Sequence, residues 1–125
     1  MKVAGIGFRE AATAADIAAA LALCEQGVDA VASIAAKADA PAMQEFARLS
    51  GLRVIALQET DIAGEQTLTC SPRIKARFGT GSLAEAAALA GARHGATGAR
   101  ARLLAPRVVT ADGLATAAIA ERLEP

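Results

Sequence analysis

Three short segments carry the groups best suited to holding a ligand. Gly5-Ile6-Gly7-Phe8-Arg9 ends a short apolar run. Its glycines let backbone amides approach a ligand closely, and the Arg9 guanidinium is a planar, bidentate donor for carboxylate or phosphate. Ser33, Lys37 and Asp39 follow a second apolar run, where a lysine among alanines delivers a positive point charge. Gly79-Thr80-Gly81-Ser82 leads into a further helix with Glu85 three residues on. A helix start rich in glycine and hydroxyl groups binds anions, although a Ser82/Glu85 capping box uses some of the same donors. Each segment also has an architectural reading: a tight strand-to-helix turn, a solvated loop charge and a helix cap.

Several other chemistries find no support. A dinucleotide fingerprint needs a third glycine where Glu10 stands, and Lys37 occupies the region where a ribose-binding acid is expected. No cofactor is therefore expected. The single histidine, His94, lies in a glycine-rich stretch without an identifiable serine or cysteine partner, so no catalytic nucleophile or base is assigned. Cys24 and Cys70 have no neighbouring cysteine or histidine to build a metal site, and are expected to stay reduced. Arg100, Arg102 and Arg107 flank a later apolar run and read either as donors to acidic groups or as solvated charges, and they are not assigned to a site. Thirteen basic residues balance thirteen acidic ones, and Trp and Tyr are absent. The chain thus lacks both the positive field and the stacking surfaces of a nucleic-acid binder, and nothing draws it to an anionic membrane.

The elements that must position these segments follow from periodicity. Lys2 to Gly7 reads as a buried strand. Thr13 and Asp16 form a variant capping box for a helix running to about Gln26, with Ile17, Leu21, Cys24 and Val28 on its apolar stripe and Gly27 as its stop. Ala30 to Ala35 is a second strand, Pro41 opens a helix that Gly51 ends, and Arg53 to Leu57 is a third strand. Thr60 to Ala63 reads as a helical turn, and Ser71-Pro72 starts a short helix stopping at Gly79. An alanine-rich helix then runs from Ser82 to Gly91. Arg102 to Ala105 and Leu114 to Ala120 are the last strands, with Asp112-Gly113 as a turn between them.

Strands alternating with helices at this spacing predict an α/β fold. The expected architecture is a three-layer α/β/α single domain over residues 1–125, with a mostly parallel sheet of about five strands and a last strand that could run antiparallel at the edge. The first residues lack the apolar core of a signal peptide, and Asp16 and Glu25 interrupt the alanine-rich stretch before it could cross a bilayer. A cytoplasmic location is expected.

Taken in order, the three segments resemble the CbiG C-terminal and CobE family. Its pattern resembles Gly-x-Gly-x-Arg, then Ser-x-x-x-Lys-x-Asp, then Gly-Thr-x-Ser-Val-Ala-Glu-Ala-Ala-Ala, matched here by Gly5 to Arg9, Ser33 to Asp39 and Gly79 to Ala88. Departures are Ala11 where a further glycine is frequent, Leu83 in place of valine, and Arg107 alone where the loop is often lysine-rich. The resemblance implies cobalamin biosynthesis, with a precorrin or other corrinoid intermediate as ligand and other enzymes of that pathway as partners. It implies a ligand site at Gly5, Gly7, Arg9, Ser33, Lys37, Asp39, Gly79, Thr80, Ser82 and Glu85. A large apolar macrocycle bearing many carboxylates suits a few fixed cations beside small aliphatic walls. Carriage of the intermediate is the leading expectation. The alternative is hydrolysis of a precorrin lactone, with Asp39 or Glu85 activating water, and a nucleotide-binding regulator is the third reading.

Overall fold

The computed structural model describes residues 1–96 and 98–123. Strand β1 (Lys2–Phe8) is buried from Val3 to Gly7, as a strand covered on both faces must be. Helix α1 (Ala14–Leu23) starts at the expected box: Thr13 Oγ1 accepts from the Asp16 amide, and the Asp16 carboxylate accepts from the Thr13 amide at 2.8 Å. It ends three residues before Gln26. Glu25, not Gly27, takes the left-handed conformation with φ 55, because the chain must already be turning for the Asp29 amide to reach the Lys2 carbonyl at 2.9 Å.

β2 (Ala30–Ile34) is wholly buried and runs into α2 (Ala35–Ala38). In α3 (Pro41–Ser50), proline fills the first turn and Gly51, at φ 75, closes the helix as its position predicts. β3 (Arg53–Leu57), α4 (Glu59–Ile62) and α5 (Pro72–Phe78) follow, then α6 (Leu83–Arg93), β4 (Arg100–Leu103), β5 (Val108–Val109) and β6 (Ala115–Leu123).

Among the described residues the sheet has six strands in the order β3-β2-β1-β6-β4, with β5 also paired to β6. β1, β2 and β3 are parallel. β6 runs antiparallel to β1 along its whole length, from Glu121 opposite Lys2 to Ala115 opposite Phe8. The last strand is therefore antiparallel, as the sequence allows, but central and not at the edge. Its composition explains the placement: Ala115, Ala117 and Ile119 pack into one core and Ala120 into the other, so both faces need cover. β4 and β5 take the edge, where the exposed Arg100 and Arg102 discourage further pairing. β5 is two residues long, too short to register as a periodic signal.

The layers are those expected. Ile17, Ala20, Met43 and Phe46 of α1 and α3 cover Ala4, Ile6, Val31 and Ile119 on one face. On the other face α6, buried from Leu83 to Ala92, lies on Val3, Ala32 and Ala120, with Ile62 of α4 beside it. The approach is close enough to exclude side chains: a Cβ added at Gly5 would stand 1.8 Å from the Ala84 carbonyl oxygen and 2.4 Å from the Ala88 amide nitrogen. Among the described residues no helix is long and apolar enough to cross a membrane. Both cysteines are free. Cys70 is exposed, whereas Cys24 is half-buried and desolvation pushes its thiol pKa up.

Two outcomes follow from this packing. Gly5→Ala should cost about 3 kcal/mol in denaturant unfolding, and lower the melting midpoint by roughly 10 °C, because helix backbone has to move. Gly27→Ala, where an added Cβ meets nothing within 4 Å and φ is not left-handed, should be neutral or add about 0.5 kcal/mol. Equal effects at the two positions would refute the close-approach account. Alkylation of the native protein should label Cys70 well ahead of Cys24, read by peptide mass mapping.

Candidate functional site

Because β6 is antiparallel to β1, its start lies beside the end of β1, and Thr116 stands opposite Gly7. The Thr116 hydroxyl donates to the Gly7 carbonyl at 3.2 Å, and a Cβ at Gly7 would come within 2.8 Å of the Thr116 hydroxyl oxygen. Glycine here keeps the sheet end low. Above it opens a cleft of about 820 Å³. Phe8, Arg9 and Glu10 line it from the exit of β1, and Lys37 from α2. Ser82 and Leu83 contribute the start of α6, while α5 supplies Arg73, Ile74, Arg77 and Phe78. Arg107, Val109, the turn from Gly113 to Thr116 and Ser71 at the cap of α5 complete the lining.

The electrostatics of this lining are uneven. Among the described residues Glu10 is its one carboxylate, against Arg9, Lys37, Arg73, Arg77 and Arg107. Arg77 is held in a bidentate pair by Glu59, at 2.7 and 3.1 Å, and its guanidinium lies 4.5 Å from the Phe78 ring centroid. Hydrogen bonding to Arg77 lowers the Glu59 carboxyl pKa and raises that of Arg77. Arg9, Lys37, Arg73 and Arg107 form no salt bridge with any described acidic residue. The Lys37 ammonium sits 4.8 Å over the Phe8 ring, which restrains it without neutralising it. Phe8, Ile74, Phe78, Leu83, Val109 and Leu114 provide apolar surface between these charges. Among the described residues, no group of three or more His, Cys, Asp or Glu side chains could hold a metal ion.

Of the residues singled out from sequence, Gly7, Arg9, Lys37 and Ser82 meet in this cleft. Others have structural employment. Gly5 lies under α6. Ser33 is fully buried and donates to the Ile6 carbonyl at 2.8 Å, tying β2 to β1. Thr80 is likewise buried, donating to the Glu65 carbonyl at 2.9 Å. Gly79 closes α5 at φ 75, and Asp39 is exposed at the end of α2, neither of them on the cleft wall.

Glu85 corrects the expectation of a full capping box. Ser82 Oγ does accept from the Glu85 amide at 3.2 Å. The Glu85 carboxylate does not return to the cap. It turns inward, fully buried, and accepts from the Thr69 amide, the Thr69 hydroxyl and the Arg107 amide at 2.9, 3.1 and 2.8 Å.

Sequence reasoning missed the wall made by α5 and left Arg107 out of the candidate site. A signal for α5 was present. Arg73 and Arg77, like Ile74 and Phe78, are four residues apart, so a cationic stripe and an apolar stripe run side by side on one helix. Local sequence did not decide between the readings of Arg107, whose place depends on β4 and β5 sharing the same edge of β6.

Comparison with known proteins agrees with the fold and with the family resemblance. A search of curated proteins finds no match. Among solved structures, the chain is similar to CobE, a protein from the cobalamin (vitamin B12) biosynthetic pathway. The two share 34% identity and a TM-score of 0.81 over 99% of this chain and 91% of that one. It is also similar to the cobalamin biosynthesis protein chiG from Agrobacterium tumefaciens str. C58, with 33% identity and a TM-score of 0.72 over 97% of this chain and 98% of that one. The family described as cobalamin synthesis G C-terminus matches residues 2–120, nearly the whole chain, and to that family of cobalamin-biosynthesis proteins the chain belongs.

Proposed function

We propose that the cleft binds a precorrin intermediate of corrin ring construction, and that the protein holds it or passes it to another enzyme of the pathway. The observation that carries this reading is the set of four cations without described acidic partners around apolar surface in a chain of zero net charge. A precorrin presents the complement: an extended apolar ring with carboxylates projecting around its rim. Arg9, Arg73 and Arg107 offer guanidinium forks to those carboxylates, and Lys37 adds a point charge. Phe8, Ile74, Phe78 and Leu83 supply surface against which the ring is desolvated. Family membership supports the class of ligand.

Carriage fits the geometry better than hydrolysis. Asp39 is exposed and outside the cleft lining. Both oxygens of Glu85 are engaged by buried donors, leaving it poorly placed to activate water.

Anaerobic absorbance titration with precorrin intermediates, followed by mass spectrometry of the recovered pigment, tests the reading. A carrier saturates at one equivalent and returns the pigment with unchanged mass; turnover of excess pigment would make the protein an enzyme instead. Replacing both Arg9 and Lys37 by alanine should weaken binding at least about tenfold, whereas Asp39→Ala should leave it unchanged. Undiminished binding by the double variant would remove the cleft from consideration. Raising ionic strength should weaken the wild type more than the double variant, because fewer charges remain to be screened.

A further inference from the structure

The Glu85 carboxylate is buried and, among the described residues, accepts from no charged group; it touches neither the cleft nor the helix cap, which only the backbone amide of Glu85 reaches. Burying a carboxylate is costly unless its oxygens are fully used. Here each oxygen serves a different segment. Oε1 takes the amide and hydroxyl of Thr69, just ahead of the start of α5 at Pro72. Oε2 takes the amide of Arg107 in the connection between β4 and β5. Both segments line the cleft with cations, and both reach the core only through partly buried side chains, Ile74 and Phe78 on one and Leu104 and Val108 on the other. α5 contains no fully buried residue, and β5 is two residues long.

We infer that Glu85 is a positioning residue that sets the cationic walls of the cleft, holding Arg107 directly and Arg73 of α5 through Thr69. The inference rests on the proposed binding of a polycarboxylate tetrapyrrole. A carboxylate is suited to the task because both its oxygens accept. A glutamine of the same size would turn an amide N–H toward one of the two segments, releasing that tie while keeping the site filled.

The test uses the intact chain and uroporphyrin, a stable tetrapyrrole polycarboxylate, titrated by absorbance into wild type, Glu85→Gln, Arg107→Ala and the double variant. Each single substitution should weaken binding about tenfold. The double variant should lose clearly less than the product of the two effects, because one residue acts through the other. A residue needed only for stability would lower the melting midpoint while leaving the affinity of the folded protein unchanged. If Arg107→Ala weakens binding and Glu85→Gln does not, or if the two effects multiply, the positioning role is overturned while the binding reading stands. Failure of the wild type to bind either uroporphyrin or precorrins would bring down the binding reading and this role with it. Amide hydrogen exchange supplies a measure independent of ligand and of any variant's folding. The Thr69 and Arg107 amides of the wild type should be protected to a similar degree, and rapid exchange at Arg107 would show that the tie does not exist.

Discussion

The contact on which the rest of the structure depends is that of α6 with β1. At Gly5 the helix backbone lies where a side chain would otherwise be, with the Ala84 carbonyl and Ala88 amide inside the reach of any Cβ. Gly91 repeats the arrangement one end further along: a Cβ there would meet the Ala32 and Val3 side chains at 2.7 and 2.9 Å. A helix held so close must itself be small, and α6 is mostly alanine, buried from Leu83 to Ala92. The alanine bias of the chain is thus a packing requirement, since interiors fill to crystal-like density and tolerate neither gaps nor excess volume.

That seating also places the helix start at the cleft. Ser82 and Leu83 enter the lining, and Glu85, one turn inward, reaches the segments on either side. The same three residues therefore begin a helix, floor a cleft and brace its walls. Charge is arranged with similar economy. Positive side chains are gathered at one end of the sheet while the molecule as a whole stays neutral, so the attraction for an anion is local and short-ranged in salt.

The three segments singled out from the sequence divide by role. Gly7, Arg9, Lys37 and Ser82 face the cleft, whereas Gly5, Ser33 and Thr80 are occupied within the protein. A motif of this kind mixes groups that would touch a ligand with groups that allow the backbone to be where it is. Residue type does not separate the two, because glycine and serine serve either purpose.

Local order was legible in the sequence because its causes are local. The Thr13 and Asp16 cap, the proline at the start of α3 and the left-handed Gly51 each follow from interactions within a few residues. The alternation of β1, β2 and β3 with helices was legible for the same reason, since periodicity reports which faces are buried. The central place of β6, the β5 pairing and the inward turn of Glu85 were not, because each depends on a partner far along the chain: Lys2 to Phe8 for β6, Thr69 and Arg107 for Glu85. The candidate site divides the same way. Arg9 and Lys37 stood out beside strand ends, but only the tertiary structure brought Arg73 and Arg107 to them, because the cleft is made by strands and helices meeting across the sheet and no stretch of sequence contains it.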